Sequence, residues 1–213
     1  MKDIYKKQVG LLIDILTEIA KEENFALHGG TAINLFHLNM PRLSVDIDLT
    51  FVPFSDSRNE DLNKIRQLLK LLKSRLKTTF PNIHLEDEKR AEEELKLLCA
   101  KDGATVKVEV NQINRGLIAE TCTKILCNQA EEEFDRFCEI KTVSVGQLWG
   151  GKLNAALERQ HPRDIFDVKV CCKKLESNFR GAFLLHFKNF QTSAKKLSEN
   201  KYLCNRNKFV LKW

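Results

Sequence analysis

The pair of motifs Leu27-His28-Gly29-Gly30-Thr31-Ala32 and Ser44-Val45-Asp46-Ile47-Asp48-Leu49 constrains this chain more than any other feature. The second puts two carboxylates two residues apart in an apolar, β-branched context. On a strand, alternation sends Asp46 and Asp48 to one face, roughly 6.5–7 Å apart, and Ile47, Leu49 and Phe51 to the other. Such a strand belongs in a sheet with one buried face. The first motif is a glycine turn followed by a helix-like run. Main-chain N–H groups at a helix N-terminus suit a phosphate. Two acids aimed at such a turn imply a divalent cation, so metal-assisted chemistry on a nucleotide is the leading expectation.

Periodicity fills in the rest. Residues 3–23 read as an amphipathic helix (Tyr5, Val9, Leu12, Leu16, Ile19), 24–28 as a short strand, and 31–38 as a helix with Thr31 near its cap. Met40 to Ser44 is a connection carrying Arg42 and Ser44, and Asp46–Val52 is the next strand, stopped by Pro53. Leu62, Ile65, Leu69, Leu72 and Leu76 line one side of a long helix. Its other side carries Lys64, Arg66, Lys70, Lys73, Arg75 and Lys77. The period then becomes two: Ile83 and Leu85, the apolar run 95–100, and Val106, Val108 and Val110 alternating with Lys107, Glu109 and Asn111. Segments 125–127 and 137–143 are further strand candidates. From Val145 onward the pattern is helical, with candidates at 147–159, 162–175 and 180–196, Pro162 suiting a first helical position. A polar, weakly patterned tail follows from Ser198. The expected architecture is an α+β part over 1–143, a mixed sheet flanked by helices, then a helical bundle over 144–213.

The bulk numbers exclude several classes. A chain of 213 residues, 43% hydrophobic and 30% charged, can bury one sizeable core. No apolar run approaches the roughly 20 residues that span a bilayer, and the start reads as helix rather than leader, so a cytosolic location is expected. Seven irregularly spaced cysteines form no CxxC and no zinc spacing, which favours reduced thiols over a disulfide or metal framework. The net charge of +6 is mild support for an anionic partner.

Other residues offer chemistry. Glu109, on the strand facing away from Val106, Val108 and Val110, is either an exposed partner of Lys107 or a third carboxylate of a two-metal site, where it would also serve as base. Lys152 follows two helical glycines, Gly150 and Gly151, each costing about 1 kcal/mol relative to alanine. A lysine there can meet a triphosphate. Asp164 and Asp167, in Arg163-Asp164-Ile165-Phe166-Asp167, share a helix face at i, i+3. They are also ordinary partners for a helix N-terminus. The basic face from Lys64 to Lys77 is a solvated surface, or a phosphate-contacting stripe if RNA is bound. No aromatic platform of the RRM kind is present.

Together, Gly29-Gly30-Thr31, Arg42-x-Ser44-x-Asp46-x-Asp48, Lys152 and Arg163-Asp164-x-x-Asp167 resemble the AbiEii/AbiGii toxin family of bacterial nucleotidyltransferases, a branch of the DNA polymerase β-like superfamily. The resemblance runs from about Asn24 to Phe190, and its specificity lies in the order of the motifs. It implies a minimal nucleotidyltransferase core followed by helices, and Mg²⁺ held by Asp46 and Asp48, beside which Glu109 is, from its spacing, the candidate further ligand. It also implies a nucleoside triphosphate lying over Gly29, Gly30 and Thr31. By family pattern Lys152 touches the triphosphate, Asp167 joins the catalytic group, and Arg42, Ser44, Arg163 and Asp164 belong to the nucleotide site. Family members act as toxins with a cognate antitoxin partner, and some similar proteins extend the 3′ end of tRNA.

Three functions compete on these residues. One is Mg²⁺-dependent transfer of a nucleoside monophosphate to a hydroxyl, such as an RNA or tRNA end. Another is kinase-like phosphoryl transfer to a protein hydroxyl, using the same metal site. The third, motivated by the atypical tail, is a degenerate module that binds nucleotide or antitoxin without turnover.

Overall fold

The computed structural model describes residues 3–87, 95–113 and 115–175. In chain order these form α1 (Asp3–Ile19), β1 (Phe25–His28) and a helical turn α2 (Gly29–Thr31) that widens into a π-helical segment (Ala32–His37). Then come β2 (Asp46–Phe51), α3 (Arg58–Thr79), β3 (His84–Asp87), β4 (Lys96–Lys101), β5 (Ala104–Val110) and β6 (Cys122–Ile125). The last described elements are α4 (Asn128–Phe134), β7 (Glu139–Thr142), α5 (Val145–Arg159) and α6 (Pro162–Leu175). One mixed sheet of seven strands has the order β3-β4-β5-β2-β1-β7-β6. β2 runs parallel to β5 and β1 parallel to β7, while the other pairs are antiparallel.

Alternation along β5 decides which face is buried. Val106, Val108 and Val110 are sealed from solvent, and α1 lies across β5 with its own Val9, Leu12, Ile13, Leu16 and Ile19 buried. Each such side chain contributes about 1.5–3 kcal/mol when fully buried. Slipping β5 by one residue would bury Lys107 and Glu109 instead, so register is strongly specified. Gln8 Nε2 donates to the Thr105 carbonyl at 2.8 Å and ties α1 to the same strand. α3 packs beside α1. The β4–β5 hairpin turns on Asp102 and Gly103, both left-handed (φ 50° and 77°), which matches the natural twist of a two-residue hairpin. Ser57 and Ser144 cap α3 and α5, accepting from the N–H groups of Glu60 and Gln147 at 3.4 and 3.3 Å.

Several local expectations shift. The helix after the glycines begins at Gly29, so Thr31 lies inside its first turn and His28 takes the cap position. The strand expected at 125–127 falls upstream at Cys122–Ile125, where it pairs with β7. α4, seven residues long, is too short for its periodicity to be read from the sequence. α5 and α6 pack on each other and α5 touches α2. The helix expected over 180–196 and the tail from Ser198 lie outside the described residues. Cys99, Cys122, Cys127, Cys138 and Cys171 are thiols outside any disulfide, and burial pushes the Cys99 and Cys138 thiols up to about 12, which keeps them unreactive. Among the described residues no helix is long and apolar enough to cross a membrane.

Candidate active site

Strand pairing assembles the site. His28 on β1 stands opposite Asp48 on β2, Asp48 opposite Glu109 on β5, and Glu109 opposite Lys96 on β4. Cross-strand neighbours share a face, so these four form a row across four strands. Asp46 and Lys107 make the next rung. The row opens on a cleft of about 330 Å³ lined by His28, Asp48, Lys96, Glu109, Asn111 and Gln112 among others.

The glycine turn fits over this row. Gly29 has φ +73°, and a Cβ there would collide with Asp48 Oδ2. Only glycine satisfies both the backbone conformation and the close approach. At Gly30 a Cβ would stand 3.0 Å from both Arg42 Nη2 and Ser44 Oγ. Thr31 is fully buried; its hydroxyl lies 2.5 Å from the Asp46 carbonyl and 3.0 Å from Ser44 Oγ. Those hydroxyls therefore lock the turn to the start of β2. What this turn has left to offer a phosphate is main chain.

A second wall comes from the helices. Asp167 has no solvent exposure and receives Arg42 through two bonds, Nε to Oδ1 at 2.7 Å and Nη2 to Oδ2 at 2.5 Å. Asn34 Nδ2 donates to Asp167 Oδ1 at 3.3 Å and to the Gly30 carbonyl at 2.8 Å. Lys152 Nζ sits between Asp164 Oδ1 at 2.9 Å and Asp167 Oδ2 at 3.2 Å, and Arg159 closes on Asp164 at 3.1 Å. The i, i+3 acids of α6 thus meet one lysine of α5. Arg163 is exposed on α6, outside this network.

Charge is unevenly settled. Burial pushes the Asp48 carboxyl up to about 6, with Asp46 and Glu109 repelling its charge and Lys107 and Lys152 relieving part of it. Burial pushes His28 down to about 4 against a hydrogen bond with the Gln147 main chain, so its imidazole is neutral. A Cβ at Gly151 would press within 3.3 Å of that ring, which explains one glycine in α5. Burial pushes Asp164 upward, but the hydrogen bond and charge of Lys152, with Arg159 and His161, outweigh it and hold the carboxyl below its ordinary value. Glu109 pairs with Lys107 at 2.9 Å and with Lys96 at 3.7 Å, and its hydrogen bond holds Lys107 above the usual range.

The expected residues therefore fall into three groups. Asp46, Asp48 and Glu109 share one face, and Gly29, Gly30 and Thr31 abut it. Arg42, Lys152, Asp164 and Asp167 form one ion-pair cluster, with Ser44 packed against Gly30 beside it, while Arg163 joins none of these groups. Among the described residues, no three carboxylate, imidazole or thiolate groups converge as a ready-made metal site. Glu109 is drawn to its lysines instead. The donor chemistry of Asp46 and Asp48 nevertheless fits a hard divalent cation, because like charge and burial leave Asp48 in need of a counter-charge. Sequence reading passed over His28, Asn34 and Lys96, whereas the pairing of Glu109 with Lys107 was one of its two readings of that glutamate. Their place in the row or the cluster exists only after β1, β2, β5 and β4 pair.

A model of the AbiEii nucleotidyl transferase toxin of type IV toxin–antitoxin systems matches residues 11–209. No curated protein matches the chain. Among solved structures, it is similar to MenT4, a nucleotidyltransferase toxin from Mycobacterium tuberculosis H37Rv, at 15% identity and a TM-score of 0.53, covering 78% of this chain. The chain spans 59% of MenT4's length. The antibiotic-resistance factor ANT(2'')-Ia aligns at 15% identity with a TM-score of 0.49, over 91% of this chain and 97% of its own. The match across nearly the whole chain places the protein in the AbiEii nucleotidyl transferase toxin family.

Proposed function

We propose that this chain transfers a nucleoside monophosphate from an NTP to a hydroxyl acceptor, an RNA 3′ end such as that of tRNA. In this reading it acts in the bacterial cytoplasm as the toxin of a toxin–antitoxin pair, restrained by a cognate antitoxin. The observation that carries the reading is the carboxylate row of Asp46, Asp48 and Glu109 set against the Gly29-Gly30 turn.

Asp46 and Asp48 would hold Mg²⁺, and Glu109 would join a second ion once released by its lysines. Bound there, the metal supplies Lewis acidity at the reacting phosphate. Main-chain N–H groups of the turn bind the triphosphate, and Arg42 and Lys152 supply positive potential beside them. Asp167 is buried beneath both cations and positions them rather than touching substrate. The acceptor oxygen attacks the α-phosphorus, a new P–O bond forms, and the bond to the bridging oxygen breaks. Pyrophosphate leaves with the electron pair, and the acceptor's proton passes to Glu109. Neutral His28, at the end of the row, packs its ring against Gly151 of α5.

Incubation with each α-labelled NTP, Mg²⁺ and total tRNA should put label on RNA, and Asp48→Ala should abolish it. Label on protein from γ-labelled but not α-labelled NTP would replace this reading with phosphoryl transfer. Nucleotide binding without any product would leave a binding module.

A further inference from the structure

Glu109 is one carboxylate shared by two ammonium groups, Lys107 at 2.9 Å and Lys96 at 3.7 Å, and the trio keeps a net positive charge. All three stand on the β5–β4 side of Asp48. The glycine turn, Arg42 and Lys152 stand on the other side, toward β1 and α5. Attacking and leaving oxygens lie roughly in line across a transferred phosphorus. A triphosphate held at the glycine turn therefore leaves toward β1, and the acceptor must enter from the β5–β4 side.

We propose that Lys96 and Lys107 form a phosphate-binding subsite for a polyanionic, nucleic-acid acceptor, exchanging their ion pairs with Glu109 for the phosphodiester beside the acceptor's terminal hydroxyl. The orientation rests on the nucleotidyl-transfer reading above. Lysine suits the task, because its ammonium is a point charge on a flexible stem that can change partners without loss of geometry. Both side chains are already partly exposed at the cleft, 21% and 33%. The basic stripe of α3 is differently placed: α3 packs beside α1, which covers the sheet face opposite the carboxylates.

The test is binding of a short single-stranded RNA with a free 3′ hydroxyl to the full chain, from about 50 to 200 mM KCl. Wild type is compared with K96Q/K107Q and with a charge-matched α3 control, K70Q/K77Q. Losing the one phosphodiester that both lysines neutralise should make the slope of log affinity against log salt shallower by about 0.7, with the control unchanged and K96R/K107R near wild type. Nucleotide affinity, measured separately in EDTA because Lys107 neighbours the Asp46–Asp48 pair, should fall by less than RNA affinity in K96Q/K107Q, since the nucleotide's contacts are on the other side. The single variants Lys96→Gln and Lys107→Gln should each give about half the change, which keeps the test valid if the double variant folds poorly. No RNA binding by wild type, an unchanged slope in K96Q/K107Q, an equal loss in the control, or a parallel loss of nucleotide affinity would overturn the subsite. Binding is read without turnover, so failure of nucleotidyl transfer strikes the proposed function and not this result.

Discussion

Asp48 concentrates the chemistry of the site in one residue. Its carboxyl is raised to about 6 in the folded chain, against 3.8 for an unperturbed group. A carboxyl raised on folding favours the native state while protonated, below about pH 4, and that advantage is lost as pH rises through about 6. Metal-free protein therefore forfeits stability from this group between those values. Cation binding needs the ionised form, so the thermal shift produced by Mg²⁺ or Mn²⁺ should be small at pH 5 and full at pH 7.5. Asp48→Asn should stabilise the metal-free protein at pH 7.5, by up to about 3 kcal/mol, and raise its melting temperature. It should also abolish the cation response; a retained response would remove Asp48 from the metal site. Gly29→Ala combines left-handed strain with a clash against Asp48, so a loss of about 2 kcal/mol or more is expected in denaturant unfolding.

Helices α5 and α6 act through Asp167. This carboxylate is sealed from solvent and answers Arg42, Lys152 and Asn34 at once. Removing it leaves two cations without their shared partner. Asp167→Ala should therefore cost about 3–5 kcal/mol in chemical denaturation. Asp167→Asn, which keeps the shape, should retain more stability yet weaken nucleotide affinity, because Arg42 and Lys152 lose their common anchor. Equal stability of both variants with wild type would contradict a positioning role. The same elements show what spacing does convey. Arg163-Asp164-x-x-Asp167 predicts two acids on one helix face, and both reach Lys152. It does not reveal that Arg42, 125 residues away in sequence, closes on the second of them.

Across the molecule, the cleft's outer rim is fixed by a buried pair remote from the carboxylates. Asp61, fully buried in the first turn of α3, takes Arg115 Nη1 at 2.5 Å and the hydroxyl of Ser55 at 2.8 Å. Arg115 also lies 5.6 Å over the Phe54 ring. It follows shortly after Asn111, Gln112 and Ile113, which line the cleft. Asp61→Ala should destabilise by about 3–5 kcal/mol and speed amide exchange at residues 111–113 and 115–117. Unchanged exchange there would separate the rim from the pair.

Much of this architecture was legible in residue order alone. Period-two runs at 46–52 and 106–110, helical stripes at 9–19 and 62–76, and Pro162 at a helix start are local signals, because burial on one face imposes its period on neighbouring residues. The glycines and the Asp-x-Asp strand likewise marked, in residue order, the turn and the carboxylate pair that the sheet brings together. Beyond that, sequence spacing is silent, because which strands become neighbours depends on packing of the whole sheet. The sequence by itself determined most of the elements and which residue types could serve a nucleotide site. Tertiary structure decided that His28, Asp48, Glu109 and Lys96 form one row, that Glu109 rests between two lysines, and that Asp167 is buried under Arg42 and Lys152. Those are relations between strands and helices distant in the chain, and only the cross-strand register and the closing of the helices on the sheet bring them into contact.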